Sequence, residues 1–91
     1  MYVVVSYDIA DDRRRAMVYK VLKDYGTRVQ YSVFECRLNS SQLQGLLLKL
    51  ARLINQQEDS INYYFLCGAC IQRVIRDGRA FSPSDEQYFW F

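Results

Sequence analysis

The chain has no histidine, one proline, four glycines and three cysteines among its 91 residues. Each scarcity removes a class of chemistry or architecture. Without an imidazole, phosphodiester cleavage of the histidine acid–base type is excluded, so hydrolysis would need a metal or carboxylates. A low and odd cysteine count argues against a disulfide framework and for a reducing, cytoplasmic setting. No apolar run is long enough to cross a bilayer, and the amino terminus enters Tyr2-Val3-Val4-Val5 without a basic segment or cleavage site. No membrane partner is expected. The formal net charge of +2 does not by itself imply nucleic-acid binding, so such a claim has to rest on local clustering.

What the chain has in quantity is apolar and aromatic surface. Half of it (51%) is apolar, with eight tyrosines, five phenylalanines and one tryptophan. That composition is globular, and the length fits one domain whose modest core an oligomeric partner often supplements. Residues 2–9 read as a strand buried on both faces, and 29–36 and 60–67 read as further strands, with 71–75 another. Asp11 is a plausible N-cap for a helix carrying Met17, Val18, Val21, Leu22 and Tyr25 and ended by Gly26. Asn39-Ser40-Ser41 caps a second helix with a stripe from Leu43 to Ile54.

The expected architecture is a β-α-β-β-α-β, ferredoxin-like α+β sandwich, with an antiparallel sheet and both helices on one face. Residues 1–80 would form this domain and 81–91 a tail. On the first strand Val3, Val5, Tyr7 and Ile9 point one way, and Tyr2, Val4, Ser6 and Asp8 the other. Helices can cover only one set, so Tyr2, Val4 and Ser6 are expected at the interface of a two-fold homodimer. Tyr88, Phe89 and Trp90, in the aromatic tail after Pro83, would form an added strand docking on the partner.

The chemistry concentrates where the first strand ends. Asp8 is followed by Asp11-Asp12-Arg13-Arg14-Arg15. If Asp8 and its symmetry mate meet at the two-fold axis, they cannot both stay ionised unless a cation lies between them or one takes a proton. Magnesium suits such a site because it keeps several waters and needs few protein carboxylates. The plainer alternative makes Asp8 a carboxylate capping the turn Ile9-Ala10-Asp11. Three arginines in a first helical turn oppose the helix dipole, an arrangement that a phosphate backbone would reward. Arg28 could extend the basic track. Otherwise these arginines form a solvated face offset by Asp11 and Asp12.

Cys67-Gly68-Ala69-Cys70 lacks the second pair or the histidine of a zinc site, and reads as a turn with small packers. Cys36 reads as core. Glu35 reads as structural or intersubunit, because the second strand is not expected to pair with the first. Tyr63, Tyr64 and Phe65 read as core aromatics, with base stacking as the alternative.

Tyr7-Asp8-Ile9, Asp12-Arg13-Arg14-Arg15 and the run from Tyr25-Gly26-Thr27-Arg28 through Ser32-Val33-Phe34-Glu35-Cys36 resemble the CRISPR-associated protein 2 family. The likeness continues through Glu58-Asp59-Ser60-Ile61. It implies a ferredoxin-like homodimer in CRISPR antiviral defence, with Asp8 of both subunits holding magnesium for hydrolysis of single-stranded RNA or double-stranded DNA. It also implies a partnership with the CRISPR integrase, CRISPR-associated protein 1, in spacer acquisition. There Arg13, Arg14 and Arg15 would contact the backbone of the protospacer duplex. The alternatives are a non-catalytic DNA-binding scaffold bridging integrase dimers, and a ferredoxin-like ligand-sensing regulatory module, which would leave the arginine run unexplained.

Overall fold

Residues 1–66 are described by the computed structural model. Their elements follow in the order β1 (Tyr2–Asp8), α1 (Asp12–Lys23), β2 (Gly26–Gln30), β3 (Val33–Arg37), α2 (Ser40–Leu53) and β4 (Ser60–Leu66). The sheet order is β2-β3-β1-β4, and every neighbouring pair is antiparallel. This is the expected α+β, β-α-β-β-α-β arrangement, completed by a different set of strands.

The difference lies in residues 26–37. The stretch 29–36, expected as one strand, is a hairpin broken at Tyr31-Ser32, and β4 is the fourth strand of the pattern, not the third. The break carries none of the Gly, Asn or Asp residues that mark a two-residue turn. Tyr31 itself favours strands. A register shift between Arg28 and Gln30 adds twist near the turn. Because β3 pairs with β1, Glu35 lies across from Val4, which corrects the expectation that the second strand would not pair with the first. The Tyr2 hydroxyl donates to Glu35 Oε1 at 2.5 Å. The expected strand at 71–75, the cysteine pair at 67 and 70, and the tail at 81–91 lie outside the described residues.

The helices cover one face of the sheet, as the alternation of β1 requires. Val3, Val5, Tyr7 and Ile9 pack with Val18 and Leu22 of α1 and Leu46 and Leu50 of α2. Phe34 is fully buried at the centre, its ring 5.7 Å from Tyr19 and 6.4 Å from Tyr7. Cys36 is buried in the same layer, and burial, with Glu35 second, pushes its thiol up to about 11. It is a packing residue, not a reactive one. Tyr63 is likewise pushed up to about 12, chiefly by burial.

The opposite face holds a smaller cluster of Tyr2, Val4 and Val33, flanked by Val29, Tyr64 and Leu66. Exposure along that face of β1 rises toward the site: Tyr2 and Val4 are buried, Ser6 is half-buried and Asp8 is exposed.

Local capping follows the sequence closely. Asn39 and Gln42 form a reciprocal capping box on α2, with bonds of 2.8 and 2.9 Å. Asp11 caps α1 by accepting from Arg14 N at 2.9 Å. Gly26 does not end α1, which stops at Lys23 with Asp24 as its cap. It opens β2 beside Cys36, where a Cβ would collide with the Glu35 carbonyl oxygen and the Cys36 sulfur.

Candidate active site and nucleic-acid interface

Asp8 is the last residue of the central strand, paired in register with Ser60 of β4. Its carboxylate is exposed and makes no hydrogen bond or ion pair to another described residue. The turn that follows is capped by a different acid. Asp59 Oδ1 accepts the Ala10 N–H at 2.9 Å, and Asp59 Oδ2 accepts the Asn55 N–H at 2.8 Å. The same carboxylate takes the Arg14 Nε at 2.8 Å and its Nη2 at 3.3 Å, while Glu58 accepts from Nη2 at 3.1 Å. The Asp59 side chain is fully buried. Hydrogen bonding from Arg14 holds its carboxyl well below the usual range against the opposing effect of burial, and the Asn55 and Ala10 amides reinforce it.

This clamp was not read from the sequence. A signal was nevertheless present. The acidic pair Glu58-Asp59 precedes β4, and in this topology the start of β4 lies beside the end of β1 and the Arg13–Arg15 run.

The arginines fall into two groups. Arg14 is committed to Asp59 and Glu58. Arg15 donates from Nε and Nη2 to the Ile9 carbonyl at 3.2 and 3.0 Å, and from Nη1 to Asp12 at 2.6 Å, so it is fixed across the β1–α1 turn. Arg13 is exposed and has no ion pair among the described residues. Arg28 is also exposed and without an ion pair there, its guanidinium carbon 5.4 Å from the centre of the Tyr19 ring. Lys23 Nζ stands at the same distance from that ring.

Two adjoining hollows form the site. One, of about 390 Å³, is lined by Asp8, Tyr7, Ile9, Arg15, Tyr31 and Ser32. The other, of about 220 Å³, shares Tyr7, Arg15 and Tyr31 and extends to Tyr19 and Arg28. Two exposed acids, Asp8 and Asp12, and two arginines, Arg15 and Arg28, therefore border these neighbouring hollows. Among the described residues, the nearby acids Asp11, Asp12, Glu58 and Asp59 have partners, whereas Asp8 has none. Among the described residues no three potential metal-binding side chains come together. Within this chain a hard cation at Asp8 would therefore find one carboxylate, with water filling the remaining positions.

The sequence profile described as CRISPR associated protein Cas2 matches residues 1–74. The chain belongs to the Cas2 family. Among curated Cas2 relatives, the CRISPR-associated endoribonuclease Cas2 3 of Chloroflexus aurantiacus is 43% identical over 89 residues, spanning 98% of this chain and 96% of that one. The CRISPR-associated endoribonuclease Cas2 of Thermus thermophilus is 47% identical over 78 residues, with 86% and 83% covered. The crystal structure of Streptococcus pyogenes Cas2 at pH 6.5 superposes with a TM-score of 0.77 at 35% identity, covering 86% of this chain and all of that one. Among the described residues of this Cas2 chain, no helix is long and apolar enough to cross a membrane.

Proposed function

We propose that this Cas2 chain is a divalent-metal-dependent endonuclease of CRISPR adaptation, hydrolysing phosphodiester bonds of RNA or DNA as a two-fold homodimer in the cytoplasm. The observation that carries this reading is Asp8, an exposed carboxylate without a partner among the described residues, in a hollow it shares with Arg15. The names of the relatives, endoribonucleases both, support it.

In this reading Asp8 of each subunit holds magnesium, which when bound supplies charge neutralisation and a more acidic water. The chain's own groups do the rest. Arg15, held by the Ile9 carbonyl, offers a fixed cation beside Asp8. Arg28 and Arg13 meet flanking phosphates. The Asp59–Arg14 clamp fixes the turn through Ala10 and so sets the direction of Asp8. Arg14 contributes through this positioning more than through phosphate contact, because its fork is already occupied.

A second reading has its own support. One carboxylate per chain is a thin shell for hydrolysis, whereas exposed Arg13 and Arg28 suit backbone contact without chemistry. The chain would then be a DNA-binding scaffold between dimers of the CRISPR integrase in spacer acquisition.

The two readings separate on one experiment. Labelled single-stranded RNA and duplex DNA are incubated with magnesium and either wild type or Asp8→Ala, purified in parallel, with an EDTA control. The nuclease reading expects loss of at least about a hundredfold in cleavage rate, with dimer mass and duplex binding retained. Equal cleavage by both proteins, or by neither, with binding intact, leaves the scaffold.

A further inference from the structure

Tyr31 has 75% of its surface exposed, the highest value among the large apolar and aromatic side chains described. Exposed aromatics at loop tips are ordinary, but this one stands on a fixed support. It occupies a two-residue hairpin turn whose second residue, Ser32, accepts the Tyr7 N–H through its carbonyl at 3.1 Å. The turn is thereby tied to the central strand. The 220 Å³ hollow beside it has walls of Tyr7, Ala16, Tyr19 and Tyr31, with Arg15 and Arg28 and one carboxylate, Asp12, at its border. Arg15 is locked in place by Ile9 and Asp12, and Arg28 lies over the Tyr19 ring.

Aromatic walls beside fixed cations match a flat π-face attached to a phosphate. A base inside a duplex presents no free face to such a hollow, whereas an unpaired base does. A dinucleotide step is also the right shape for two hollows that share Tyr7, Arg15 and Tyr31. One would take a base, and the other, bordered by Asp8, the adjoining backbone.

We propose that the Tyr31 hollow is a subsite for one unpaired nucleobase of single-stranded nucleic acid, stacked on Tyr31 with its phosphate between Arg15 and Arg28. The inference rests on the nucleic-acid reading above and deepens it. It assigns discrimination between single strands and duplexes to a side chain outside the Asp8 chemistry. Asp12 partly offsets the charge of Arg15, so Arg28 supplies most of the attraction for the phosphate.

The test uses the full chain and three fluorescein-labelled probes: a short oligoadenylate RNA, the same strand with abasic sites, and a blunt DNA duplex. Removing a stacking aromatic typically weakens single-strand binding by about 5- to 150-fold. Tyr31→Ala is expected to lose affinity for the RNA in that range, while Tyr31→Phe stays within about twofold of wild type. Duplex affinity and thermal midpoint should be unchanged in both variants. The abasic strand should bind wild type and Tyr31→Ala alike. Arg28→Ala should instead shallow the salt dependence by about 0.7 of a log unit per log unit of salt on the RNA, a change Tyr31→Ala does not make.

Wild-type affinity for the RNA in Tyr31→Ala overturns the subsite and leaves the nucleic-acid reading standing. So does a parallel loss on RNA and duplex. A wild-type protein that binds none of the three probes overturns both.

Discussion

Asp59 accepts four hydrogen bonds through one buried carboxylate and joins the β1–α1 turn to the start of β4. Its charged form is favoured by folding, since its carboxyl titrates lower in the folded chain than in the unfolded one. The stability it provides is complete above the unfolded-state value, about 3.9, and is lost as pH falls below that value toward the folded one. Thermal melts of the wild type should therefore be flat in this respect from neutrality to about pH 4 and should decline below it. Asp59→Asn should melt lower at pH 7 and show a shallower acid decline. An unchanged acid limb would remove Asp59 as its source. Asp8 was legible in the sequence because an acid ending an apolar strand stands out among its neighbours. Asp59 was not, because its partners, Ala10 and Arg14, are distant along the chain and become neighbours only once β1 and β4 pair.

The elements show the same division. β1 was legible as an unbroken run of β-branched and aromatic residues, and α2 as a leucine stripe behind an Asn cap. Both signals are local. The β2–β3 hairpin was not, because Tyr31-Ser32 continues the strand-like composition on either side, and tertiary pairing decides where the chain reverses. Gly26 stands out in the sequence as a helix-ending glycine, but α1 stops before it, at Lys23. Its role is to let β2 approach β3, so Gly26→Ala should press on the Glu35 backbone and Cys36, at a cost of about 1–3 kcal/mol. Leu50→Ala, in the fully buried stripe of α2, should cost about 2–5 kcal/mol. Urea unfolding of both variants checks the two values. Near-wild-type stability of Gly26→Ala would mean that the strands have room to part.

At the scale of the molecule, we propose that the helix-free face of the described sheet meets a second copy. Sedimentation should give twice the 10.8 kDa chain mass. Ser6→Arg, which introduces a charge where burial gives way to exposure, should shift the protein toward monomer with its circular dichroism spectrum retained. A Ser6→Arg dimer as tight as wild type would move the interface elsewhere. The central place of β1 has a further consequence, in the order of synthesis. β1 is made first, yet one of its two neighbours, β4, closes the described chain. During translation, the β2–β3 hairpin and its pairing to β1 can form while the other edge of that apolar strand still lacks its partner. Such an edge invites pairing with foreign strands, and non-local closure of this kind is slow. Among β1 to β4, the strand that carries Asp8 thus leaves the ribosome first and gains its second neighbour only when β4 follows.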